Sequence, residues 1–329
     1  MLRLALCLLL ALLPAAGLRA RAARGGPVYK GAIVVDAATG DVLFEGHADE
    51  ISPPASMTKL MTFAVLHDRL AHGALRLDTM VKVVAADTRA APSRVDLKVG
   101  ETYPLEELIY AMMIPSANYA ALAVARVVGG SVPAFVELMN AKARELGMSH
   151  TSFRTPNGLP PPSRRLIDGD LTTPRDFARL CRYLLQHTDI LKYTSVRTRL
   201  FGHNYRFPPL PMTNHNHLLG KIDGVDGLKT GFTNGAGFCL AATAKRGGRR
   251  IIVVMMDCPD ARDRDLAVIQ LIESAFMRPT FVKPTIAPTA GQAIVPAPAA
   301  SAEASAGQAS AVPAPGGPIV HFSVPGQGQ

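Results

Sequence analysis

The sequence predicts a mixed α/β (α+β) fold, a sheet built from strands near the two chain ends, flanked by helices, with a helical subdomain inserted between. Three observations carry this. Apolar, β-branched runs occur at Gly31–Asp36 and Val42–Glu45, and again at Phe238–Thr243 and Arg250–Met256. Helix-period patterns with start and stop signals occupy the stretch from Leu105 to Gly147. No internal repeat suggests an array.

The elements follow in order. Ala38-Thr39-Gly40-Asp41 turns the first strand into the second, and this hairpin leads to a helix that opens at Ser56 and closes near His72-Gly73. A short strand is expected at Val81–Ala85, then a polar loop from Asp87 to Asp96. A helix over Leu105–Met113 breaks at Pro115, and another runs from Tyr119 to Val128 and stops at Gly129-Gly130. Ser131 caps a third, with Pro133 in its first turn and Gly147 just past its end. Asn157-Gly158-Leu159 before Pro160-Pro161-Pro162 reads as a turn and a stiff loop, and Thr173-Pro174-Arg175-Asp176 opens a further helix. Loop with strand fragments is expected over Leu200–Pro211, and Asp265–Phe276 reads as a closing helix.

The 329 residues are 48% hydrophobic, ample for a sizeable core. Arg3, the apolar run Leu4–Leu13 and the small residues after Pro14 read as a signal peptide over 1–24, too short in its apolar part for a transmembrane segment. A domain is expected over 28–278 and a disordered Ala/Pro-rich tail over 284–329 with no amphipathic anchor. Export to the periplasm follows from the leader. Of the formal charge of +9, four positives (Arg3, Arg19, Arg21, Arg24) precede the domain, which leaves about +5 and no aromatic-interleaved basic patch. A nucleic-acid partner is therefore not indicated. Cys181, Cys239 and Cys258 have spacings of neither a metal site nor a disulfide framework, and they read as buried apolar residues.

Three short strings carry chemistry. Ser56-Met57-Thr58-Lys59 places a hydroxyl and an amine one helical turn apart, so that a lysine of lowered pKa could take the serine proton. Alone, it is as well explained by a capped helix with an exposed lysine. Ser116-Ala117-Asn118 sits at the Pro115 break, where a hydroxyl and an amide can face a cleft, or simply cap a helix. Lys229-Thr230-Gly231, inside Val225–Thr233, fits a strand that another backbone approaches closely, or a surface strand with a lysine.

Together, in this order, the three form the serine-lysine, serine-x-asparagine and lysine-threonine-glycine set of penicillin-interacting acyl transferases. The chain resembles the low-molecular-mass penicillin-binding proteins that are serine D-alanyl-D-alanine carboxypeptidases. The likeness extends over Lys98–Glu101, Met113–Ala121, Pro156–Leu159 and Ala236–Leu240, and covers roughly residues 28 to 276. It implies a serine β-lactamase-like antiparallel sheet flanked by helices. It also implies attack by Ser56 on the bond between the terminal D-alanines of a peptidoglycan stem peptide, with covalent capture by β-lactams. Lys59 would be the base, held neutral in part by Lys229, and Ser116 a proton relay. Asn118 would hold the substrate amide, the Ser56 and Phe232 amides the oxyanion, and Lys229, Thr230 and Arg264 the terminal carboxylate beside Gly231. No cofactor or metal is expected.

The sequence departs from the family at Tyr119, where an aspartate is usual, and at His215, where some relatives carry an arginine. A strand-rich second domain and a C-terminal anchor also look absent. A β-lactamase that deacylates through a glutamate is disfavoured, because the loop from Leu166 to Asp176 offers only Asp168 and Asp170 before the helix. A D,D-endopeptidase acting on cross-links and a non-catalytic wall-binding module remain open alternatives.

Overall fold

The computed structural model describes residues 27–90, 95–163 and 165–277; the expected leader (1–24) and tail (284–329) lie outside them. A five-stranded sheet forms the frame, in the order β2 (Val42–Gly46), β1 (Gly31–Asp36), β9 (Arg249–Cys258), β8 (Gly237–Arg246), β7 (Val225–Thr233). Every neighbouring pair is antiparallel. The first and last apolar runs of the described residues, β1 and β9, thus pair within the sheet.

Period-2 alternation divides the strands between two cores. Ile33, Val35, Ile252, Val254 and Met256 face one, and Ala32, Val34, Ile251, Val253 and Met255 the other. The first core is shared with α1 (Lys59–Ala71), α2 (Leu105–Met113), α3 (Asn118–Gly129), α4 (Val132–Glu145) and α5 (Pro174–His187). The second is closed by α7 (Ala261–Met277) through Val268, Ile272 and Ala275. With both faces covered, these strands are continuous apolar runs rather than half-polar ones.

The predicted caps form. Ser131 Oγ accepts from the Ala134 amide at 3.2 Å, and Thr173 Oγ1 from the Asp176 amide at 3.1 Å. Gly147 follows α4 with φ +69°, a left-handed position open to glycine at little cost.

Other elements differ from the sequence reading. The strand expected at Val81–Ala85 is β3, Met80–Lys82, paired with a β4 at Thr102–Pro104. It ends early because the Val84 amide donates to the Asp87 carboxylate at 3.0 Å, itself clamped by Arg126. The strand fragments expected at Leu200–Pro211 pair as a hairpin, β5 (Thr198–Phe201) with β6 (Leu210–Thr213), and a single-turn α6 (Leu191–Thr194), not foreseen, precedes it. Among the described residues, no single helix is long and apolar enough to cross a membrane.

Candidate active site

Ser56 lies in a 3₁₀ turn, Ala55–Thr58, and α1 proper starts at Lys59. The lysine is fully buried, which overturns the exposed-lysine reading of the motif. Its Nζ has three polar neighbours: Ser56 Oγ at 3.0 Å, Asn118 Oδ1 at 2.9 Å and the Asn157 carbonyl oxygen at 2.7 Å. The two carbonyl oxygens can only accept. A neutral amine has two N–H groups and one lone pair, so donation to both carbonyls leaves its lone pair for the serine O–H. Burial holds the Lys59 pKa well below the ordinary lysine value, and the positive charge of Lys229 lowers it further against a smaller opposing pull from Asp170. Burial leads; the lysine-lysine repulsion expected from the sequence comes second.

Ser116 lies between α2 and α3. The N-cap of α3 is Ala117, with no side-chain cap, so Ser116 is not the ordinary cap that the string allowed. Its backbone has φ +64°, and its buried Oγ has no hydrogen-bond partner within the protein. A left-handed serine with an orphaned hydroxyl is a doubly costly arrangement. Asn118, the first residue of α3, reaches Lys59 as described above. Tyr119 is buried in the first core.

β7 is an edge strand, and it lies against the Ser56 turn. A Cβ on Gly231 would stand 2.6 Å from the Pro54 carbonyl oxygen, so only glycine permits this approach. The close backbone neighbour foreseen from the glycines is thus, on this side, the protein's own turn. Lys229 is buried with Nζ donating to the Thr230 carbonyl at 3.0 Å, and burial, then Arg264, lowers its pKa to about 7. Phe232 is half exposed and stacks on Phe238 with ring centroids 4.2 Å apart.

One cleft is lined by Ser56, Ser116, Asn118, Thr230, Phe232 and Arg264, with Gly231 in its wall. Arg264 comes from α7. Asp265 holds its guanidinium at 2.6 Å and also lies 3.3 Å from His217. His215 and His217 line the same cleft. All the sequence-predicted site residues therefore converge, the lysines behind the cleft wall. Among the described residues, no group of three or more His, Cys, Asp or Glu could hold a metal ion. Cys181, Cys239 and Cys258 are buried and unpaired, in keeping with their spacing.

Two contributors escaped the motif reading. Asn157 acts through its backbone oxygen, which leaves no side-chain signature beyond the Asn-Gly turn. Asp170, weighed above only as a base, is occupied. Its Oδ1 accepts from the Arg154 and Thr155 amides at 2.7 and 2.9 Å, and its Oδ2 from the Thr58 and Thr155 hydroxyls at 2.7 and 3.0 Å. Asp168 accepts from Ser163 at 2.7 Å on the loop surface. Neither lines the cleft at Ser56.

The sequence matches a protein family described as D-alanyl-D-alanine carboxypeptidase over residues 28–260. It is 32% identical over 247 residues to D-alanyl-D-alanine carboxypeptidase DacF of Bacillus subtilis, covering 75% of this chain and 62% of that protein. It is 34% identical over 230 residues to the D-alanyl-D-alanine endopeptidase of Escherichia coli, covering 69% of this chain and 70% of that one. Penicillin-binding protein D2 of Listeria monocytogenes, solved in an ampicillin-bound form, is similar in structure with a TM-score of 0.67 and 32% identity. That similarity covers 76% of this chain and 98% of the other.

Proposed function

The chain belongs to the D-alanyl-D-alanine carboxypeptidase family, and from that premise we propose that it removes the terminal D-alanine from peptidoglycan stem peptides through an acyl-enzyme on Ser56. The observation that carries this reading is the buried Lys59 amine, 3.0 Å from Ser56 Oγ, with two carbonyl oxygens accepting hydrogen bonds from it. A base of lowered pKa in contact with a hydroxyl is what an unactivated serine requires.

In this reading Ser56 Oγ attacks the carbonyl carbon between the two D-alanines, and its proton passes to Lys59. The amides of Ser56 and Phe232 take the developing oxyanion, a contribution of about 3 kcal/mol per donor. The C–N bond then breaks, and the proton on Lys59 reaches the leaving nitrogen through Ser116. This gives the orphaned Ser116 hydroxyl the partners it lacks in the free protein. Water attacks the ester, its proton taken by Lys59 and passed back to Ser56 Oγ as the ester C–O bond breaks, and the shortened peptide leaves with the free serine and neutral lysine restored. Asn118 holds the substrate amide, and Lys229, Thr230 and Arg264 receive the terminal carboxylate. β-Lactams would acylate the same serine. A periplasmic location is part of this reading, supported by action on cell wall and by the leader expected over 1–24.

Release of D-alanine from a pentapeptide stem tests the proposal, with Ser56→Ala as control. Release that disappears in the control supports it. A second reading, cleavage of D,D cross-links, is favoured by the similarity to the Escherichia coli endopeptidase. It predicts no release from the pentapeptide, intact penicillin labelling, and cleavage of a cross-linked dimer. Failure of penicillin to label Ser56 would leave only the wall-binding module.

A further inference from the structure

Arg264 reaches the cleft from the first turn of α7, and its guanidinium is held by its own chain neighbour. Nε and Nη2 both donate to Oδ1 of Asp265, at 3.0 and 2.6 Å. Consecutive residues on a helix point about 100° apart and do not ordinarily face each other. The contact therefore exists because the arginine side chain turns sideways to reach it. The other carboxylate oxygen, Oδ2, lies 3.3 Å from His217 Nδ1. His217 stands in the loop before β7, beside a fixed residue. Its neighbour Asn216 is buried, donates to the Gly227 carbonyl at 3.1 Å and accepts from the Leu218 amide at 3.1 Å. Arg264, Asp265 and His217 thus form a row braced against the strand that carries Lys229 and Thr230.

The donors can be accounted for. A guanidinium has five N–H groups. Asp265 takes the one on Nε and one on Nη2, and the Cys239 carbonyl oxygen lies 3.5 Å from Nη1. One hydrogen on each Nη is left, the pair that can grip a carboxylate through two parallel bonds. Arg264 is buried and lines the cleft, so these are the hydrogens that a ligand there meets. An aspartate beside an anion-binding arginine weakens its net attraction for anions. The arrangement gives up attraction and gains orientation, and His217 faces the aspartate oxygen that Arg264 does not use.

We infer that Asp265 is a positioning residue for recognition of the terminal carboxylate: it holds Arg264 by the Nε edge so that both Nη groups serve the substrate, and His217 steadies Asp265 from the other side. The inference rests on the carboxypeptidase reading of the cleft and adds how the leaving end is recognised.

The test uses acyl-D-alanyl thioesters whose leaving group is thioglycolic acid or its amide, two reactive donors that differ only in the carboxylate. For the unaltered protein, kcat/KM should favour the acid tenfold or more, roughly the effect of one charge-assisted pair. Asp265→Ala should raise KM for the acid roughly tenfold with little change in kcat, the mark of lost uniform binding, so that the preference collapses. Asp265→Asn keeps an oxygen for Nε and Nη2 and should retain most of the preference. His217→Ala should shift KM in the same direction by less. In an Arg264→Gln background, Asp265→Ala should have no further effect, because the two residues act as one unit. Tighter binding of the acid by Asp265→Ala would overturn the inference by showing that charge outweighs orientation. Equal losses on acid and amide would overturn it by showing structural support alone. Equal rates on both donors in the unaltered protein would remove Arg264 as the carboxylate anchor, and Asp265 with it, while the Ser56 chemistry stands. Turnover of neither donor would overturn the acyl-transfer reading and the inference together.

Discussion

Lys59 Nζ lies 2.7 Å from the backbone oxygen of Asn157, 98 residues further along the chain. A carbonyl cannot give up a proton, so this contact fixes which way the amine turns its hydrogens, and leaves the lone pair toward Ser56. An arginine at this position stays protonated at any working pH and could not serve as a base. We expect Lys59→Arg and Lys59→Met each to slow acylation by a factor on the order of 10³ or more. Rates of covalent labelling by a fluorescent penicillin check this; labelling within tenfold of the unaltered protein would remove Lys59 from the base role.

Ser116 separates stability from activity. Its left-handed backbone costs on the order of 1 kcal/mol, which glycine would not bear. Its Oγ makes no hydrogen bond within the protein, so truncation sacrifices none. Ser116→Gly should therefore raise the melting temperature by a few degrees while D-alanine release falls roughly 10²-fold or more. Parallel thermal melts and release assays decide it. A fall in both would mean that the hydroxyl has a structural partner.

The low pKa of Lys229, about 7, gives two signed expectations. An anionic carboxylate bound beside it favours the charged form, so its pKa rises and protons are taken up near pH 7. Calorimetry in buffers of different ionisation enthalpy reads this uptake. In folding, the unfolded lysine holds its proton up to about 10.5 while the folded one has lost it by then, so this group's contribution to stability increases with pH between about 7 and 10.5. Removing the neighbouring charge in Arg264→Gln should raise the Lys229 pKa and move the alkaline limb of kcat/KM upward, even as the rate itself falls.

The residues legible in the sequence were those whose chemistry resides in side chains at fixed local spacing. Ser56 and Lys59 are three apart, a spacing that a helical turn converts into contact. The sheet was legible because its central strands are buried on both faces, which leaves long apolar runs. What stayed hidden depends on distant partners or on the backbone. β4 shows no strand pattern in Thr102–Pro104 because only its pairing with β3 defines it. The burial of Lys59 comes from packing against segments about 60 and 100 residues away. The role of Asp170 is of the same kind, since nothing local announces a carboxylate that ties two distant turns together.

That tie yields the last expectation. Asp170 binds the 154–155 amides on one oxygen and the Thr58 and Thr155 hydroxyls on the other. The Thr155 hydroxyl in turn accepts from the Gly158 amide at 2.8 Å, which steadies the turn that presents the Asn157 carbonyl to Lys59. Asp170→Ala takes the acceptor from the Arg154 and Thr155 amides and from the buried Thr58 hydroxyl, and should cost about 2–5 kcal/mol of stability. Asp170→Asn can keep the amide contacts through its remaining oxygen, while its NH₂ donates to hydroxyls free to rotate. It should therefore preserve most of the geometry and lose only the charge. Because Asp170 raises the Lys59 pKa, its neutralisation disfavours the protonated lysine. The base form then persists to lower pH, and the acid limb of penicillin acylation should move down in Asp170→Asn. An acid limb that stays in place, with the melting temperature close to that of the unaltered protein, would show that Asp170 acts on Lys59 only through the turn.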